Sequence, residues 1–256
     1  MKRIVYQGLG LVAICLLQLQ LFASNPVGGL RFTENKGQII DTDGNLQPDI
    51  LFKTQASGAD IYLTRQGISF VLVSQDVTHS PFFDIEGEMA EKMKMKDAKY
   101  VLERIDMNFS GMNPQFGVKR ETELGSLENY YFAHCSDGVL GVKSYEKITY
   151  TDIYPGIDWE ITTKDGALKT AFIVHPNANP ALITFKIEGN KETVVLPDGS
   201  LKMVGETGVV NDAAPFCIQE GSEPTVNYSF HRGFFGFEVG NYDPSKTLVI
   251  DPYTRI

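Results

Sequence analysis

Three acids stand close together in the middle of this chain: Asp152, Asp158 and Glu160. Such residues cleave glycosidic bonds when two carboxyls face each other across a cleft, roughly 5–10 Å apart. Carboxylate pairs have no sequence signature, and the same spacing arises on the wet face of a strand. The expectation here is an acidic outer face. Asp41-Thr42-Asp43-Gly44-Asn45 offers a second chemistry, because alternating oxygen ligands suit a hard cation. The calcium-loop pattern then fails: Leu46 stands where that loop needs Gly, and Phe52 where it needs a bidentate Glu. A polar turn is expected instead.

The four histidines, His79, His134, His175 and His231, lack the spacing of a zinc motif. His134 adjoins Cys135, but neighbours on a strand point to opposite faces, which argues against a Cys–His pair. Residues 24–256 contain no Gly-x-Ser-x-Gly elbow, no phosphate-binding Gly loop and no dinucleotide fingerprint. No metal, no cofactor and no catalytic residue is expected. The weak binding candidates are of two kinds. Glu34, Asn35, Lys36 and Gln38 make a dense run of hydrogen-bonding groups, although a loop held by its own hydrogen bonds is the expectation. Tyr130 and Tyr131, followed by Phe132, would alternate across a strand and leave at least one ring exposed. Phe234-Phe235 is a second aromatic pair that could face a sugar, whereas Trp159 shares the parity of Ile157 and Ile161 and reads as core.

The elements that would position these residues are strands. Ile183, Phe185 and Ile187 alternate with Thr184, Lys186 and Glu188, and Leu168, Phe172 and Val174 share a parity with Thr170. Lys164-Asp165-Gly166 and Pro197-Asp198-Gly199 sit between such runs as hairpin turns would. One dry and one wet face per strand fits antiparallel pairing. The expected fold is all-β, of packed antiparallel sheets in a sandwich-like arrangement. It forms either one elongated domain or two sub-domains, 24–125 and 126–256. Glu86–Lys96, charged and rich in Met, is expected to be a short helix or loop inserted between strands.

Lys2 and Arg3 precede an apolar run from about Ile4 to Leu17, and small residues follow at Ala23 and Ser24. That is the layout of a secretory signal peptide over residues 1–23. The clean apolar part is shorter than the ~20 residues a membrane span requires, so no stable span is expected after cleavage. Ile14 before Cys15 is too bulky for lipoprotein processing. The net charge is −9, and loss of Lys2 and Arg3 takes it to −11, which repels phosphate backbones and excludes nucleic acid as an expected partner. An oxidising compartment would permit a Cys135–Cys217 disulfide, and two buried free thiols are the equal alternative.

Three ordered stretches resemble one known domain. They are Phe32-Thr33-Glu34-Asn35-Lys36-Gly37-Gln38, then Tyr150-Thr151-Asp152-Ile153-Tyr154-Pro155-Gly156-Ile157-Asp158, and finally Phe237–Lys246 running on to Leu248-Val249-Ile250-Asp251-Pro252. Together they are similar to an uncharacterised N-terminal β domain of bacterial surface proteins. There it precedes SBBP-type (β-propeller) repeats, PKD-like domains or a gliding-motility-type sorting segment. The resemblance implies no activity, cofactor or catalytic residue. It implies an exported, secreted or cell-surface module whose partners are neighbouring domains or envelope proteins, with glycans as the alternative. Relatives continue past the Val-Ile-Asp-Pro stretch, so a chain stopping at Ile256 is expected either to act alone or to leave an edge or apolar patch where a further domain docks.

Overall fold

The computed structural model describes residues 4–5, 31–56, 59–76, 99–164, 166–251 and 253–255. The expected insertion at 86–96 lies outside them, as does the expected signal segment apart from Ile4–Val5. The strands are β1 (Ile4–Val5), β2 (Phe32–Glu34), β3 (Ile50–Ala56), β4 (Ala59–Thr64), β5 (Gly67–Asp76), β6 (Lys99–Phe109) and β7 (Gly117–Glu123). Then come β8 (Glu128–Phe132), β9 (Cys135–Val142), β10 (Ser144–Tyr154), β11 (Ile157–Lys164), β12 (Ala167–Val174), β13 (Thr184–Glu188) and β14 (Glu192–Val195). The last are β15 (Leu201–Val204), β16 (Val209–Asp212), β17 (Phe216–Gln219), β18 (Val226–His231), β19 (Phe234–Val239), β20 (Leu248–Asp251) and β21 (Tyr253–Arg255). A single 3₁₀ turn at Pro180–Leu182 is the only helical element among the described residues.

The fold is all-β, as the alternation predicts, and all pairing is antiparallel in one large sheet plus the β8–β9 hairpin. The sheet joins strands from both sides of residue 125. It bends over at β10. Tyr145 pairs with Phe32 of β2 on one side and Glu123 of β7 on the other, while Ile148 and Thr149 pair with β7 and with β11. β2 and β11 therefore share one edge of β10, and the sheet splits there into two layers. One runs β2-β3-β4-β5-β6-β13-β19-β18, the other β10-β11-β12-β20-β17. β17 and β18 are consecutive in the chain and touch, so the sheet is nearly closed and barrel-like. The expected packed sheets are thus a single sheet folded onto itself. A strand that changes layers is the usual way to make such a corner.

Alternation decides what goes inside. Ile157, Trp159 and Ile161 of β11 are buried, as are Leu168, Thr170, Phe172 and Val174 of β12. Facing them are Ile105, Met107 and Phe109 of β6, and Phe185 of β13. Aromatic rings bridge the layers edge-on: Phe109 lies 4.9 Å from Trp159 and 5.5 Å from Phe172. Edge-to-face contact sets the positive ring edge against the negative face, adding about 0.5–1.5 kcal/mol per pair beyond burial.

β6 is held closely by its neighbours. A Cβ on Gly189 would lie 2.1 Å from the Arg104 carbonyl oxygen, and one on Gly67 2.1 Å from that of Met107. The Glu103 carboxylate accepts from the Glu206 and Thr207 backbone N–H groups at 2.6 and 2.8 Å, tying β6 to the β15–β16 turn. Gly189 and Gly221 both adopt positive φ, but nothing lies near a Cβ at Gly221. Gly221→Ala is expected to cost about 1 kcal/mol for its backbone conformation alone. Gly189→Ala adds a collision with β6 and is expected to cost more than about 2 kcal/mol. Urea unfolding followed by the fluorescence of Trp159, the single Trp of the chain, checks the difference.

Candidate functional site

The Glu34–Gln38 candidates are brought together with the tyrosine candidates. Asn35 Nδ2 donates to the carbonyls of Gln47 and Ile50 at 2.8 and 2.9 Å, and its Oδ1 accepts from Gly37 N–H. Gln38 is buried and spans the loop, accepting from Lys36 N–H at 2.7 Å and donating to the Glu34 carbonyl at 2.6 Å. Glu34 Oε1 accepts from Lys143 N–H at 3.0 Å, and Lys36 Nζ donates to the Leu140 carbonyl at 3.0 Å. These groups close a loop and anchor the β8–β9 hairpin to it.

Arg31 adds an ion pair to Glu128 at 2.9 Å, and Glu128 in turn accepts from the Tyr130 hydroxyl. Burial and the neighbouring Glu128 carboxylate push the Tyr130 phenol well above its ordinary range. Tyr130 and Phe132 share a face, with ring centroids 5.7 Å apart. Tyr131 points the other way and is 65% exposed, close to Gly138, with Leu127 and Leu140 also exposed. The expected alternation of these rings is what the strand produces.

The central acids are used on turns. Asp158 Oδ1 accepts from Asp152 N–H at 2.8 Å, and Asp158 Oδ2 meets His175 Nε2 at 3.1 Å. Asp152, at φ +58°, accepts from Gly156 N–H at 3.1 Å, and Glu160 pairs with Lys147 at 2.7 Å. Asp158 and Glu160 lie on the outer face, opposite in parity to buried Trp159. The Asp41 loop likewise closes on itself. Its carboxylate accepts from Asp43 and Asn45 N–H and from the Asn45 and Gln47 amides, and the Asn45 bonds hold it below the usual carboxylate range. Among the described residues, no three His, Cys, Asp or Glu stand close enough to hold a metal ion. In the last motif, Asp243 takes two bonds from Ser245, while buried Gln219 grips the Asp243 backbone in both directions.

Cys135 and Cys217 are both free. Cys217 sits in the core on β17, and burial alone pushes its thiol up to about 11. Cys135 opens the hairpin strand β9 and is half-buried.

One feature escapes the residue-by-residue reading. An open groove of about 430 Å³ lies between the β13–β14 connection and the β18–β19 turn. Phe230 lines it, 62% exposed and packed on Phe235 at 4.7 Å. The sequence signal was His231-Arg232-Gly233-Phe234, a hairpin turn with Arg where Asn or Asp is usual.

Two tests follow from this geometry. Lys36→Ala is expected to leave the barrel folded and to loosen the hairpin, with faster amide exchange confined to about residues 128–142, read by hydrogen-exchange mass spectrometry. In the native protein at pH 8, an alkylating reagent is expected to label Cys135 within minutes and Cys217 only after urea is added, because the thiolate is the reactive form. Peptide mapping distinguishes the two.

No curated protein and no solved structure matches this chain. A family described as a domain of unknown function, DUF7948, matches residues 32–253, from the start of β2 to the start of β21, and the chain belongs to that family.

Proposed function

We propose that this chain is a non-catalytic, exported module that acts by contact at the cell surface or outside the cell. One observation carries the reading. The polar side chains of all three motifs bond mainly to backbone groups, of their own turns or of the segments packed on them, and among the described residues they do not converge on a shared cleft. Polar groups placed this way fix loops rather than a reacting atom. Export rests on the Lys2-Arg3 start, the apolar run behind it and the small residues at Ala23 and Ser24. The propeller repeats, PKD-like domains and sorting segments that accompany similar domains would be the neighbours, and envelope proteins the wider partners. The hairpin, with Tyr131, Leu127 and Leu140 turned to solvent, supplies a surface for such contacts.

Carbohydrate binding is the second reading. The groove beside Phe230 favours it, because it pairs an exposed ring with amide, hydroxyl and charged side chains.

The protein is expected to give no turnover across a broad glycosidase, esterase and peptidase screen. Expressed with its own N-terminus in a bacterial host, it is expected outside the cytoplasm, with a mature end close to Ser24 by N-terminal sequencing. A turnover that Asp158→Asn abolishes would overturn the non-catalytic reading, and cytoplasmic retention of an uncleaved chain would overturn export.

A further inference from the structure

We infer that the groove beside Phe230 binds a carboxylated saccharide, such as a chain of uronic acids. This rests on the second, carbohydrate-binding reading and deepens it by naming the class of sugar. The platform comes first. Phe109, Phe185, Phe235 and Phe230 form a row with centroid spacings of 6.3, 5.8 and 4.7 Å, which starts at buried Trp159 and ends in solvent. Phe230 is thus an exposed ring held in place by buried ones, and the free energy of ordering it is already spent on folding. The negative face of such a ring attracts the weakly positive C–H face of a pyranose.

The charges come second. Arg232 occupies the first central position of the β18–β19 turn at φ +52°, followed by Gly233 at φ +86°. Left-handed backbone strains a side-chain-bearing residue such as Arg, and Asn, Asp or Gly would avoid most of that strain. Strain of this kind, kept at a rim, points to use of the side chain. Neither Arg232 nor Lys191 across the groove has an ion-pair or hydrogen-bond partner for its side chain among the described residues, and both are exposed. Lys186 is committed to the Phe234 ring at 4.7 Å, and Glu188 to Asn108 at 3.2 Å. Two uncommitted cations therefore face one uncommitted acid, Glu192, in a chain of net charge −9. A carboxylate forks onto a guanidinium. Asn190 Oδ1 and the Thr193 hydroxyl supply hydrogen-bonding partners for sugar hydroxyls at the same wall.

The third observation is size. About 430 Å³ of open groove accommodates one or two sugar rings.

The test is calorimetric titration of the protein with oligogalacturonate, with cellotetraose as the uncharged ring and poly-glutamate as the charge without a ring. Oligogalacturonate is expected to bind, with cellotetraose at least about tenfold weaker. Phe230→Ala is expected to weaken oligogalacturonate binding by at least about tenfold, the effect of losing about 1.4 kcal/mol. Arg232→Gly removes the guanidinium while relaxing the turn. It is expected to weaken binding similarly and to keep or raise the urea midpoint, so lost binding cannot be lost folding. Absence of oligogalacturonate binding would overturn the saccharide assignment and leave the contact-only reading standing. Equal binding of poly-glutamate, insensitive to Phe230→Ala, would also overturn it and point to an acidic peptide. Shortened oligomers in the cell would overturn the contact-only reading itself.

Discussion

The meeting of Phe109 with Trp159 and Phe172 is the contact on which the architecture turns. β6 belongs to one layer of the folded sheet, and β11 and β12 to the other. Side chains join the two layers at this contact, whereas the hydrogen-bonded link between β2 and β10 is made at Phe32–Thr33 and Ser144–Tyr145. The rings dominate this core by volume, and the structure accepts a penalty for them. Trp159 Nε1 and Tyr150 Oη are buried with no hydrogen-bond partner among the described residues. An orphaned buried donor costs about 1–3 kcal/mol. Burying a large aromatic, at about 25 cal/mol per Å², recovers that and more. The rim inherits its order from the same rings, because Phe185 and Phe235 carry the row outward to Phe230.

Much of the fold was legible from alternation. β11, β12 and β13 have the expected inward sets, including Thr170, which is buried with its neighbours. The turns at Gly166 and Gly199 fall where Asp-Gly pairs stand. Closure was not legible. That β10 carries β2 and β11 along one edge depends on long-range register, which no local pattern encodes. The candidate residues were half legible. Glu34, Asn35, Lys36 and Gln38 stood out as polar and dense, but that they anchor the Tyr130–Tyr131 hairpin requires residues more than one hundred positions apart to meet. Phe230 was overlooked because its strand neighbours resemble core. Phe230 shares its parity with buried Tyr228, and only the folded structure shows that it is exposed.

The three motifs share one physical use. Each is a sharp change of chain direction, at 35–38, 152–156 and 243–245, in which a side-chain oxygen takes backbone N–H groups that no strand can pair. The Ser245 bonds hold the Asp243 carboxyl below its usual range, as the Asn45 bonds do at Asp41, which marks these acids as acceptors in their ionised form.

The position of β20 has a consequence for the order of events in the cell. Residues 248–251 come after nearly every other strand, yet they lie between β12 and β17, with Ile250 flanked by Phe172 and Cys217. The second layer is incomplete until that segment has been synthesised. Non-local pairing of this kind also folds slowly. A polypeptide still leaving the ribosome therefore lacks the strand that joins β12 to β17, and the second layer acquires its compact form only after residue 251 has emerged.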